Sequence, residues 1–436
     1  MKKTRNQRWL IISHAFNMDG RAASQTITDK IPHLIDQGIT PHVISSPTGT
    51  KSQIHPHYQV WSLAPSGLRF EIRHWLKKLL ISKINYRILL FCIDLVLLPF
   101  ILIEKINRSR NNHWSWWFLV VKKGCRIAQK TQFDVIYSTG GSYAAHIAAA
   151  QLKKKLNLPW ICEIHDPLVE PTTTPSQEDH LYKIEQMICD QADMPFWFTE
   201  AALRSAQLRH PKLGNKGKCF IPGTDKPKIP IPEYTPNALM SISHFGSLAS
   251  DRNLKALFNA LASLSSHYDD MKLQLCIFGG HIDEVTSETI KQYRNKVKVK
   301  VFERFNFDPI NNISGRARVI AEMYKTDVLY LEHGETNYCR EYIPSKLYEY
   351  LWTGRPILGR IHENEQLCNI LHNEGHICVD SNDSASLENH IKALYEEWLS
   401  TGIIKGVTPE SKYTSKSCVD QILINFNETL ISKYPE

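Results

Sequence analysis

The chain has no Cys-x-x-Cys pair, no Asp-x-Asp, no His/Cys cluster at metal-ligand spacing, no repeat and no low-complexity tract. Ten cysteines scattered in this way exclude a disulfide scaffold or a zinc ribbon. With no Asp-x-Asp and no such cluster, no metal is expected. The opening residues "MKKTRNQRWLIISHAF" hold an apolar run of only four residues, too short for the core of a leader peptide. That predicts a reducing cytoplasm and free thiols. At 436 residues and 42 % hydrophobic composition, the chain can bury large cores and reads as two or three globular domains.

Charge is unevenly placed. The net is +8, yet residues 69–130 hold thirteen Lys and Arg against Glu71, Asp94 and Glu104, a local +10 that leaves −2 for the rest. Within that segment lies "ILLFCIDLVLLPFILI" (Ile88 to Ile103), and Trp75, Trp114, Trp116 and Trp117 accompany it. A spanning helix needs about 20 apolar residues, and this run is shorter and interrupted by Asp94 and Pro99. Trp and Lys/Arg around an apolar face are the signature of a helix lying on an anionic membrane surface, so peripheral attachment is expected. A core helix pair with basic outer faces and a true bilayer span are the alternatives. Nucleic acid is not expected, because base stacking uses aromatics and gains nothing from Leu, Ile and Val.

Elsewhere strands and helices alternate. "RWLIISHAF", a glycine turn, a helical pattern over Ile27 to Ile35 and "PHVISS" open a parallel α/β layer, and "FDVIYSTGG", "SYAAHIAAAQLKKKLN", "LPWICEIHDP", a helix over 179–191, "MPFWFTE" and "KCFIPGT" continue it. Five prolines between Ile221 and Met240 fit neither a helix nor a central strand and predict a semi-rigid linker. Alternation then restarts from "SISHFGSL". The expected layout is an N-terminal domain over 1–225 containing the basic segment 69–130, the linker 221–240, a second α/β domain over 241–405, and a tail over 406–436.

In open parallel sheets ligands bind beyond the carboxyl ends of the strands. There, "HFGSLASDRN" supplies Gly246 and Ser247, whose backbone can approach a ligand, with Arg252 near a helix start as an anion partner. In "EYIPSKLYEYLWTGRPIL" Pro344 suits a first helical turn, and Glu349 lies within the helix beside Leu347, Tyr350 and Leu351, a poor place for an idle charge. A carboxylate there can accept hydrogen bonds from a ribose diol.

The spacing Glu341, seven residues, Glu349 resembles the E-x7-E motif of family 4 glycosyltransferases, which have the two-domain GT-B fold of Rossmann-like parallel-sheet domains facing each other across a cleft. "DVIYSTGGSYAAHIAA", "LPWICEIHDP", "FTEAA" and "FGSLASDRN" resemble further family segments in matching order, from Ile12 to about Ile357. The resemblance implies that Glu349 holds the ribose, Glu341 the donor sugar, and Arg252 the diphosphate. Lys255 stands near the family's second phosphate cation, with Lys346 as the alternative. Gly20 stands in the family's glycine-rich loop, where Asp19 replaces one glycine. His165 and Asp166 end a strand where family members approach the donor sugar; a His satisfied by hydrogen bonds at a strand end is the competing reading.

The resemblance further implies a retaining transfer from a nucleotide sugar, expected to be of UDP or GDP type with no further cofactor, and the lack of Asp-x-Asp and of a His/Cys cluster predicts that it needs no metal. The acceptor would be a lipid-linked or membrane-proximal glycan in cell-surface polysaccharide assembly. A sugar-nucleotide epimerase of the same fold and a non-catalytic membrane-associated adaptor are the alternatives.

Overall fold

The computed structural model describes residues 7–79, 82–107, 113–169 and 175–433. Arg108 and Arg110 of the basic segment lie outside these residues. The chain forms two compact units, residues 1–222 with 415–436, and residues 223–414.

The first unit contains β1 (Gln7–Ile12), α1 (Ala22–Thr28), α2 (Ile31–Asp36), β2 (Ile39–Ser45), β3 (His57–Gln59), α3 (Pro65–Lys77), α4 (Lys83–Asn107), α5 (Trp116–Ala128), β4 (Val135–Thr139), α6 (Tyr143–Leu156), β5 (Trp160–Ile164), α7 (Pro175–Gln191), β6 (Met194–Trp197), α8 (Glu200–Arg209) and β7 (Lys218–Cys219). Its strands form one parallel sheet in the order β3-β2-β1-β4-β5-β6-β7. Trp9, Leu10, Ile11 and Ile12 of β1 are all fully buried, because helices cover both faces of a parallel sheet. One face packs on α5 and the alanine-rich α6, the other on α1, α2 and a C-terminal helix.

The second unit contains β8 (Met240–Phe245), α9 (Lys255–Ser265), β9 (Leu273–Phe278), α10 (Glu284–Gln292), β10 (Lys298–Phe302), α11 (Gly315–Lys325), β11 (Val328–Glu332), α12 (Lys346–Leu351), β12 (Ile357–Ile361), α13 (Glu365–Asn373), β13 (Ile377–Asp380) and α14 (Ser384–Thr401). Its parallel sheet runs β10-β9-β8-β11-β12-β13. Helix α15 (Ser415–Lys433) returns to the first unit, where Cys418, Val419, Ile422 and Phe426 complete the core. Both sheets are doubly wound. The chain leaves β1 for β2 and returns to β4 on β1's other side, and likewise leaves β8 for β9 and returns to β11, so each unit has a topological switch point.

Several local features differ from the sequence expectation. The single helix expected over Ile27 to Ile35 is two, α1 and α2, broken at Asp29 and Lys30; Pro32, which lacks an amide donor, sits in the first turn of α2. The strand read in "KCFIPGT" shrinks to Lys218–Cys219. The proline-rich stretch forms no helix or strand, but it is not slack. Tyr234 donates a hydrogen bond to Asp327, and Arg355 stacks its guanidinium 3.7 Å from the Tyr234 ring centre, which fastens the stretch to the second unit. Cys368 of α13 and Cys378 of β13 form a disulfide, so the expectation of free thiols fails for that pair. Trp116 is fully buried and donates its indole N–H to the Val60 carbonyl at 2.8 Å; it is a core residue, not part of a surface belt.

Candidate functional site

The switch point of the second unit lies between β8 and β11. Beyond β8 the chain turns at Gly246, whose φ of +110° is a conformation that favours glycine. A side chain on Gly279, at the neighbouring strand end, would lie 2.3 Å from the Gly246 carbonyl oxygen, so two glycines let backbone pack on backbone here. Gly246 and Ser247 are exposed.

Lys346 opens α12 and reaches across to this turn. Its Nζ donates to the Phe245 carbonyl at 2.8 Å, approaches His244 Nε2 at 3.4 Å, and would lie 3.7 Å from a Cβ on Gly246. Burial and the nearby Arg252 guanidinium push the Lys346 ammonium well below its ordinary range. Burial, Lys346 and Arg252 likewise hold His244 neutral. Lys346 therefore lies against the glycine turn within electrostatic reach of Arg252, a repulsion that a bound anion relieves.

Arg252 is fixed by a tight backbone turn, with Arg252 N donating to Ala249 O at 2.9 Å and Ala249 N to Arg252 O at 3.1 Å. Its Nη1 reaches the Tyr342 hydroxyl at 3.5 Å, and its buried Nε has no protein acceptor among the described residues. Lys255 instead occupies the exposed first turn of α9.

Glu341 ends a short 3-10 helix, Asn337–Glu341, and is half-buried. The loop behind it is braced from α13. Asn364 caps α13 by accepting from Leu367 N at 2.9 Å while its amide donates to the Cys339 and Tyr342 carbonyls at 3.0 and 2.9 Å. His333, at the end of β11, also contacts the Tyr342 carbonyl, at 3.3 Å, and burial brings its ring down to about 4.

Glu349 lies in the first turn of α12 and accepts from Arg316 Nε at 2.7 Å; Arg316 Nη2 continues to Thr224 Oγ1 at 3.0 Å. Sequence reading missed Arg316. At the first turn of α11 after the Ser314 cap, it looks like a surface residue.

In the first unit, Gly20 turns with φ +67° in the exposed loop after β1. His165 follows β5. Its Nε2 sits 2.7 Å from Glu163 Oε1 and 3.0 Å from Thr139 Oγ1, and its ring stacks on Phe198 with centroids 4.9 Å apart. A Cβ on Gly140 would meet that ring at 2.5 Å, so the glycine clears space for it. Asp166 is exposed beside it.

Behind His165, Glu163 is fully buried and accepts from Lys30 Nζ at 2.8 Å and from the Tyr137 hydroxyl. Burial alone would raise the Glu163 carboxyl, but Lys30 and His165 hold it well below the usual carboxylate range. The one sequence signal was Glu163 itself, a lone carboxylate inside the apolar strand "WICEI".

The fold also gathers His14, Glu71 and His113, whose ligand-type atoms lie within 4.8 Å of one another. Spacing along the chain could not reveal them, since Glu71 follows His14 by 57 residues. The Glu71 carboxylate is engaged by Ser62 N at 2.7 Å, Ser62 Oγ at 2.6 Å and His14 Nε2 at 3.2 Å, which ties α3 to the end of β1.

No family model matches this sequence, and no curated protein does. Solved structures do. Anabaena HepE in complex with UDP and glucose aligns over 97 % of this chain and all of its own, at 12 % identity and a TM-score of 0.60. TarM aligns over 98 % of this chain and all of its own, at 10 % identity and a TM-score of 0.62. The lipopolysaccharide outer core galactosyltransferase WaaB, in its apo form, aligns over 98 % and 100 %, at 12 % identity and a TM-score of 0.55. With two doubly wound parallel sheets and full-length likeness to these structures, the chain has the GT-B fold.

Proposed function

We propose that the protein is a glycosyltransferase that moves a sugar from a nucleoside diphosphate sugar of UDP type to a membrane-proximal, lipid-linked glycan acceptor. The observation that carries this reading is the pairing of Lys346 and Arg252 at the Gly246 turn. Transfer leaves a nucleoside diphosphate behind, so the site must stabilise negative charge that grows on the phosphate oxygens. Two preorganised cations beside a backbone that can approach closely supply that stabilisation, and no metal is required for it.

The remaining roles are assigned by position. Glu349, held by Arg316, accepts the ribose hydroxyls, and Glu341, on its braced loop, accepts from the donor sugar. In the first unit, Gly20 lies under the donor phosphates and the acceptor, and His165 and Asp166 approach the donor sugar, with His165 fixed through Nε2 by Glu163 so that Nδ1 is its atom for a substrate. The departing phosphate helps to take the acceptor proton, which gives retention at the anomeric carbon without a dedicated base.

UDP as the nucleotide is supported by the HepE complexes with UDP and with UDP-glucose. The membrane-proximal acceptor is supported by the basic, apolar segment in the first unit, and on this reading the protein works at the cytoplasmic face in cell-surface polysaccharide assembly. Thermal-shift measurements with UDP, GDP, dTDP and ADP provide the test, because a ligand of the native state raises apparent stability. UDP is expected to give the largest shift, and no shift with any nucleotide refutes the donor assignment.

A further inference from the structure

Helix α4 has its polarity inside out. Ile84–Lys105, 22 residues, is long and apolar enough to cross a bilayer. The positions that pack against the protein include Tyr86, Leu90, Asp94, Leu97, Ile101 and Glu104, one stripe at helical spacing. Both carboxylates of the stretch lie on that inner stripe. Asp94 receives Arg69 as a two-pronged ion pair at 2.6 and 2.7 Å. Glu104 accepts from the Ser66 amide and hydroxyl at 3.0 and 2.6 Å and from the Trp114 indole at 2.6 Å. The Tyr86 hydroxyl reaches the Arg73 carbonyl at 3.4 Å.

The outward face carries Ile88, Phe91, Leu95, Leu98, Phe100 and Leu102, each between 50 % and 68 % exposed. A helix built for water shows the opposite arrangement, and a continuous apolar face of this length marks an interaction surface.

Charge selects the occupant. The outer surface of α3 and α4 carries exposed Arg73, Lys77, Arg87 and Lys105, while the carboxylates of α4 turn inward. A two-fold dimer would set this face against itself and bring cation against cation. Anionic lipid headgroups complement the same rim, and the acyl region beneath them takes the apolar side chains.

The ties to α3 decide the orientation. Both ends and the middle of α4, at Tyr86, Glu104 and Asp94, are held to one helix, "PSGLRFEIRHWLK", which carries Arg69, Glu71, Arg73 and Lys77. In a crossing helix the middle lies about 15 Å from either edge of the hydrocarbon, so this charged helix would have to follow Asp94 there.

We propose that α4 is an in-plane membrane anchor, its outward face seated in one leaflet of an anionic membrane while its polar stripe stays fastened to α3. This deepens the membrane-proximal reading of the function, yet it rests on α4 alone and not on the donor site.

The test uses the full chain with vesicles of phosphatidylcholine, alone and mixed with phosphatidylglycerol. Co-sedimentation is expected with the mixed vesicles and to fall roughly tenfold, about 1.4 kcal/mol, in the variant Phe91→Glu/Leu95→Glu, with UDP binding unchanged. Orientation is read in a Cys92→Ser background with a fluorophore placed by Ile88→Cys, Leu95→Cys or Leu102→Cys, quenched by nitroxides at shallow and deep acyl positions. All three probes are expected at one shallow depth in the outer leaflet. A depth that peaks at Leu95→Cys with one end in the far leaflet overturns the proposal in favour of a span. Absence of lipid binding overturns it, as does a concentration-dependent dimer that Phe91→Glu/Leu95→Glu dissolves. Absence of UDP binding by the unmodified protein would refute the donor assignment and leave the anchor standing.

Discussion

The Nε of Arg316 donates to Oε1 of Glu349 at 2.7 Å, and this pair joins the first turn of α11 to the first turn of α12. Glu349 is mostly buried, so without Arg316 its carboxylate would face a desolvation cost. The pair also aims the carboxylate, and Thr224 in turn aims the guanidinium. Arg316→Ala is therefore expected to weaken UDP binding roughly tenfold, about 1.4 kcal/mol, by releasing Glu349. Glu349→Ala, which removes the ribose acceptor itself, is expected to weaken it more. Calorimetric titration of UDP into each variant gives the order, and an Arg316→Ala protein with unaltered affinity would show that the pair serves only the fold.

Lys346 and Lys255 offer a second contrast. Lys346 lies against Gly246, whereas Lys255 stands on an exposed helical turn. Lys346→Met is expected to raise the dissociation constant for UDP about a hundredfold, roughly 2.7 kcal/mol, the size of a charged hydrogen bond to phosphate. Lys255→Met is expected to change it less than about threefold, as exposed charges contribute little. Equal losses in the two variants would place the diphosphate nearer α9.

Much of this was legible in the sequence because the signals were local. Apolar runs ending in glycine mark β8 with Gly246, and "IPSKLYEYL" marks α12 with Lys346 and Glu349 both in its first turn. What escaped was set by distance along the chain. Arg316 precedes Glu349 by 33 residues and Lys30 precedes Glu163 by 133, and neither cation differs by sequence from a solvated one. Helix α4 was hidden for another reason. Tyr86, Asp94 and Glu104 are too sparse to give a period, so composition marked an apolar, basic segment but not which side of the helix packs on α3 and which is exposed.

The Lys30 and Glu163 pair behind His165 has a measurable cost of disruption. Both side chains are almost wholly buried, and Glu163 also organises Tyr137, Thr139 and His165. Lys30→Met leaves a buried carboxylate short of its main counter-charge and is expected to destabilise the protein by about 3–5 kcal/mol. Urea unfolding measures it. The double variant Lys30→Met/Glu163→Gln is expected to recover part of the loss, since no buried charge is then left unpaired. If the double variant is no better than the single one, the ion pair is not the source of the cost.

His376 predicts the direction of a pH effect. Its Nδ1 accepts the Ile357 amide at 3.3 Å, which requires a neutral ring, and burial lowers its pKa from 6.5 to about 4. The folded state then binds fewer protons than the unfolded chain between those values, so stability rises with pH across that window. The contribution is fully present above pH 6.5 and is lost as the pH falls through about 4, with a limit of about 3 kcal/mol. Replacement by a side chain that does not titrate removes that dependence while keeping an acceptor for Ile357. Urea midpoints of the protein and its His376→Asn variant, compared from pH 7 down to 4, are expected to converge as the wild type weakens. A constant gap across that range would mean that the buried ring does not titrate on unfolding.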